Sequence, residues 1–79
     1  MLVQVQYFSL LRDLHGPEKA EVSDQASIEE LLARLYASVP GLKAWDKYLL
    51  IAVGTEYVSR DHRLAANDLV SLMPPVQGG

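Results

Sequence analysis

The sequence contains no cysteine. That absence removes disulfides, thiolate nucleophiles, CxxC redox pairs and cysteine-bearing zinc sites, so any sulfur chemistry must act on another atom. Positive charge is also sparse: 7 Lys and Arg stand against 10 Asp and Glu, a net charge of -3. The basic residues Arg12, Lys19, Arg34, Lys43, Lys47, Arg60 and Arg63 are scattered, which leaves no cluster to neutralise phosphates and argues against nucleic acid. No apolar run approaches the about 18 residues needed to cross a bilayer, and no basic stretch leads into an apolar one at the start. A membrane role is therefore not expected, and the cytoplasm is the expected location. P-loop, GxGxxG, GxSxG and HExxH patterns are all missing. His15 and His62 fall outside any metal-ligand spacing, and Asp61-His62 has no serine elbow to complete a triad, so no metal and no internal active site are expected.

What is present describes one domain. In 79 residues, 49% are hydrophobic and 22% charged, ordinary proportions for a folded chain. A chain of this size buries only about 60–65% of its unfolded surface, so without covalent staples its core must be tightly packed or a partner must assist. Leu2 to Phe8 alternates, with Val3, Val5 and Tyr7 on one face and Gln4, Gln6 and Phe8 on the other, the pattern of a half-buried strand. Ser9 is placed to cap a short helix through Leu14, which Gly16 and Pro17 stop. Glu18 to Ser23 reads as a second strand, antiparallel to the first, with Ala20 and Val22 inward.

Ser27 and Glu30 form a capping-box pattern ahead of Ile28, Leu31, Leu32, Leu35, Tyr36 and Val39 at helical spacing. Glu29 and Glu30 then favour the helix dipole rather than acting as an acid and base pair. Pro40 and Gly41 are expected to end this long helix, and Lys43 to Lys47 to form a loop. Tyr48 to Val53 is continuously apolar, which predicts a strand buried on both faces at the centre of the sheet, bounded by Gly54. Tyr57 and Val58 make at most a short strand, Leu64 anchors a polar loop, and Leu69 to Met73 is the last strand. The sum is an α+β roll over 1–73, with one helix to cover one sheet face, followed by a tail over 74–79.

Each tail residue limits conformation in a useful direction. Pro74 and Pro75 fix φ near about -65° and donate no hydrogen bond, which predicts a stiff extended arm. Gly78 and Gly79 lack Cβ atoms, so the last peptide can thread a narrow slot and its carbonyl carbon is open to attack. A terminal carboxylate with a reference pKa of about 3.3–3.7 is ionised and a poor electrophile. Adenylation with ATP would activate it, and sulfur could then displace AMP to leave a thiocarboxylate. With no phosphate-binding loop of its own, the chain needs that machinery from another protein.

The segments VQVQYFSLLRDLHG, SIEELLARL, LLIAVG, VSRDHRL and above all LVSLMPPVQGG resemble the small sulfur-carrier subunit family of molybdopterin synthase, the MoaD family, over the whole chain. The resemblance implies a ubiquitin-like β-grasp roll: a mixed sheet of four to five strands, one main helix on one face and a short helix after the first strand. It implies that Gly79 is adenylated by a ubiquitin-activating-type adenylyltransferase, with ATP consumed by that partner and no cofactor bound here. A sulfurtransferase would supply the sulfur. The tail Pro74, Pro75, Val76, Gln77 and Gly78 would insert into the large synthase subunit within a heterotetramer. There the thiocarboxylate would give its sulfur to cyclic pyranopterin monophosphate, making the dithiolene of molybdopterin, with the catalytic residues in the large subunit. This chain would be a protein cosubstrate rather than an enzyme. Ala66-Asn67 departs from a usual Asp-Gly turn, although Asn67 can take the left-handed conformation.

Strand phase indicates a docking face. Phe8 is out of phase with Val3, Val5 and Tyr7, Met73 with Val70 and Leu72, and Tyr57 with Val58, so the three share the open sheet face. The matching positions are apolar contact positions in the family. The readings in competition are a sulfur carrier for another pathway such as thiamine synthesis, a ubiquitin-like modifier joined to lysines, and an interaction module with an idle tail. The helical insertion at 9–16 and the Pro74-Pro75 pair oppose the thiamine-type carrier.

Overall fold

A computed structural model describes residues 1–75. Val76, Gln77, Gly78 and Gly79 lie outside the described residues. Strand β1 (Leu2–Tyr7) buries Val3, Val5 and Tyr7 as its alternation predicts. It is followed by a 3-10 helix (Ser9–Leu14) and by β2 (Lys19–Glu21), antiparallel to β1 with Val3 opposite Ala20.

Ser9 does not cap the short helix. It is the first helical residue, with φ of 56°, and Phe8 holds the cap position without any side-chain hydrogen bond. The left-handed residue at the far end is His15, not Gly16, with φ of 53°. Gly16 is required for a different reason, since a Cβ there would stand 2.5 Å from the Tyr7 hydroxyl. That hydroxyl donates to the Pro17 carbonyl at 2.9 Å, and burial pushes its pKa up to about 12.

Helix α1 (Ile28–Ser38) turns Ile28, Leu31, Leu32 and Leu35 into the core. Half of the capping box forms: Ser27 accepts from the Glu30 amide at 3.2 Å, while the Glu30 carboxylate accepts from Ser23 at 3.5 Å. The first-turn amides of Ile28 and Glu29 donate to the carbonyls of His62 and Arg60, which satisfies groups that a helix start leaves unpaired. Pro40 does more than end α1. Val39 leaves helical geometry before it, and Pro40 then opens a short second helix, α2 (Pro40–Lys43), because proline at a first helical position loses no bond. This helix buries Leu42 and takes in only Lys43 of the expected loop, the rest of which is turn.

Strands β3 (Leu50–Val53), β4 (Glu56–Tyr57) and β5 (Leu69–Met73) complete a five-stranded sheet in the order β2-β1-β5-β3-β4. β1 and β5 are parallel and the other pairs antiparallel, so the sheet is mixed, with helices on one face: the β-grasp roll. The centre belongs to β5 rather than β3. β3 is flanked by β5 and β4, and only its middle residues Ile51 and Ala52 are buried, so the reading of a strand buried on both faces is too broad. The apolar run Tyr48–Leu50 misled it, since Tyr48 lies in the preceding turn and is exposed. Gly54 turns the chain into β4 with φ of 62°. Asn67 does take the left-handed conformation, with φ of 68°, and its amide donates to the Leu2 carbonyl at 2.8 Å.

Candidate functional site

The sheet register assigns its rows. Val5 pairs with Val70 and Tyr7 with Leu72 across β1 and β5, and Ile51 pairs with Leu72 across β3 and β5, so these residues share the helix-covered face. The alternate positions share the other face. One row joins Gln6, Ser71, Ala52 and Tyr57 across four strands. The next joins Met73 with Leu50, and Phe8 extends it, because its amide donates to the Leu72 carbonyl at 3.1 Å. A third begins with Gln4 and Leu69.

Phe8, Tyr57 and Met73 therefore stand on one face, where strand phase places them. Phe8 is 40% exposed and Tyr57 72%, while Met73 is half-buried. Between them the small residues Ala52 and Ser71 are buried, and the Ser71 hydroxyl donates to Gln6 Oε1 at 3.5 Å. The face thus carries apolar side chains around the short residues Ala52 and Ser71, with Gln4 and Gln6 along one side. Leu50 and Leu69 belong to it as well, and sequence reasoning missed both. Counting back from Met73 by the strand period would have found Leu69; Leu50 was hidden in a continuous apolar run.

The tail grows from the row that Phe8 and Met73 share. β5 is hydrogen-bonded on both sides, to β1 through Leu72 and to β3 through the pairing of Met73 with Leu50. Pro74 and Pro75 follow directly, outside any element and half-buried. The predicted inserting residues Val76, Gln77, Gly78 and the reactive Gly79 lie outside the described residues.

The largest polar cluster is elsewhere. Tyr36 on α1 donates to Asp46, Arg60 reaches Asp46 Oδ1 at 2.8 Å and Glu29 at 3.5 Å, and the Arg60 guanidinium also donates to the Asp46 carbonyl. Burial, reinforced by the Asp46 hydrogen bond, pushes the Tyr36 hydroxyl up to about 12. The hydrogen bonds from Tyr36 and Arg60 hold the Asp46 carboxyl below its usual range. This network joins α1 to the turn ahead of β3 and the loop after β4. Each of its charges is paired, and it has the form of a tether rather than a reaction centre. Among the described residues no group of three His, Asp or Glu could hold a metal ion. No helix among them is long and apolar enough to cross a membrane.

Comparison with known proteins adds the family dimension. The model of the ThiS family matches residues 5–79. The molybdopterin synthase sulfur carrier subunit of Chlamydomonas reinhardtii is 34% identical over 83 residues, covering 100% of this chain and 100% of that protein. A chain in the complex of subunits 1 and 2 of molybdopterin-converting factor from Helicobacter pylori is 30% identical with a TM-score of 0.71, and 100% of both chains is covered. The small archaeal modifier protein 1 of Haloferax volcanii, at 21% identity and a TM-score of 0.81 over 95% of this chain and 98% of that one, shares the fold.

Proposed function

The chain belongs to the ThiS family, and we propose that it is the sulfur carrier subunit of molybdopterin synthase, bearing the transferable sulfur on Gly79. The observation that carries this reading is the continuity of PPVQGG with the central strand β5, beside an exposed apolar sheet face. The end-to-end match with a sulfur carrier subunit supports it.

The Gly79 carboxylate attacks the α-phosphorus of ATP on a ubiquitin-activating-type adenylyltransferase, pyrophosphate leaves, and an acyl adenylate forms. The persulfide of a sulfurtransferase then displaces AMP to give an acyl disulfide, and a thiol reductant cleaves its S–S bond to release the thiocarboxylate. Phe8, Tyr57 and Met73 dock on the large synthase subunit, and Pro74, Pro75, Val76, Gln77 and Gly78 carry the thiocarboxylate into it. Within that heterotetramer the sulfur passes to cyclic pyranopterin monophosphate. The catalytic residues for that step belong to the large subunit, and the chain works in the cytoplasm without a bound cofactor.

Reconstitution tests this reading. The chain, the large subunit, the activating enzyme, ATP, a sulfur donor and cyclic pyranopterin monophosphate should together yield molybdopterin. Deletion of Gly78 and Gly79 should abolish the product while the folded domain persists. Product formed at an undiminished rate by the deletion variant would reject the proposal.

A further inference from the structure

Among the described residues three large apolar side chains are exposed outside the three rows of the open face, Leu2 at 40% and, more openly, Leu10 at 60% and Tyr48 at 58%. Leu10 stands in the 3-10 helix, two residues after Phe8, whose amide bonds the Leu72 carbonyl. The buried residue of that short helix is Leu11, so the core does not use Leu10. Tyr48 stands in the turn ahead of β3, two residues before Leu50, the register partner of Met73. Because β1 and β3 flank β5, Leu10 and Tyr48 lie on opposite sides of the point where Met73 gives way to Pro74 and Pro75.

We propose that Leu10 and Tyr48 form a collar around the root of the tail, and that this collar seats on an apolar rim at the tail-accepting cleft of the large synthase subunit. The inference rests on the function proposed above and adds two residues that set which partner is accepted. Continuity argues for this occupant, since the collar adjoins the row of Phe8, Met73 and Leu50. Chain length argues for it independently. Residues 76–79 reach at most about 14 Å when fully extended. A partner that acts on Gly79 inside a cleft must therefore bring the rim of that cleft within that distance of Pro75, at the end of the sheet where β1 leads to Leu10 and Tyr48 leads into β3.

The test is the affinity of the full-length chain for the large subunit, measured by calorimetry for wild type, Phe8→Asp and the double variant Leu10→Ser with Tyr48→Ser. The double variant should bind at least tenfold more weakly, with a melting temperature close to wild type because both positions are exposed. Should it melt early, the single variants Leu10→Gln and Tyr48→Gln carry the comparison and should each weaken binding severalfold. Wild type and double variant binding within twofold, with Phe8→Asp binding lost, would overturn the collar alone. A wild-type chain that does not bind the large subunit would overturn the underlying reading and the collar with it. Self-association of wild type that the double variant abolishes, at unchanged large-subunit affinity, would assign the collar to a second copy and reject the proposal. Loss confined to adenylation by the activating enzyme would reject it as well.

Discussion

The two faces of one sheet put similar side chains to opposite uses. On the helix side Val3, Val5, Val70, Leu72 and Ile51 are buried against α1 and α2, whereas on the other side Phe8, Leu50, Leu69, Tyr57 and Met73 remain wholly or partly open to water. Leu72 and Met73 are neighbours on β5 and differ in apolar character far less than in cover. The lesson is that an apolar residue stabilises this fold only where something lies over it, and where nothing does, it is free to serve contact with a partner.

The contrast can be broken first at Leu72. Leu72→Ala should cost about 2–5 kcal/mol by leaving a cavity in the core, read as a lower midpoint in denaturant, while Met73→Ala should cost less than about 1 kcal/mol. Equal costs would mean that the open face is part of the core. Gly16→Ala sharpens the helix side. The new methyl would meet the Tyr7 hydroxyl, and displacing that ring should cost about 1–3 kcal/mol by the same measurement. Ser27→Ala removes the one side-chain cap that α1 uses and should cost about 1 kcal/mol.

The smallest expected effect is a pH dependence at Asp46. Its folded pKa is depressed by the hydrogen bonds from Tyr36 and Arg60, so the stability it contributes is present above the ordinary carboxylate pKa of about 4 and is lost as pH falls through the depressed value. Asp46→Asn should melt lower than wild type at pH 7, and the gap between them should narrow at pH 3. The pair is partly exposed, which keeps the effect small. A gap of constant size would remove Asp46 from the acid response.

Much of this contrast is legible in the residues. The period-2 alternation of β1 separates Val3, Val5 and Tyr7 from Phe8, and the helical spacing from Ile28 to Leu35 identifies the cover for one face only. Phe8, Tyr57 and Met73 follow from phase because each is out of step with a neighbour that is in the core or packed against it. What stayed hidden depends on register and backbone. β5 lies at the centre because it pairs with β1 in parallel, a long-range contact that no local pattern carries. Leu50 looked like core because its neighbours are apolar, and Pro40 looked like an end because the same proline that stops one helix can begin another. Ser9 has the chemistry of a cap, yet it is the first residue of the 3-10 helix and Phe8 holds the cap position.

The central claim is that Gly79 carries sulfur, and the missing cysteines make it directly measurable. The chain is incubated with its activating enzyme, ATP and a sulfur donor, treated with a thiol-selective alkylating reagent, and the adduct is located by fragment mass spectrometry. Total mass alone misleads, because oxidation of Met1 or Met73 adds nearly the mass gained when oxygen is exchanged for sulfur. An adduct on Gly79 that requires ATP is the predicted result. No adduct on Gly79, with enzyme and donor both active on a known carrier, would contradict the account.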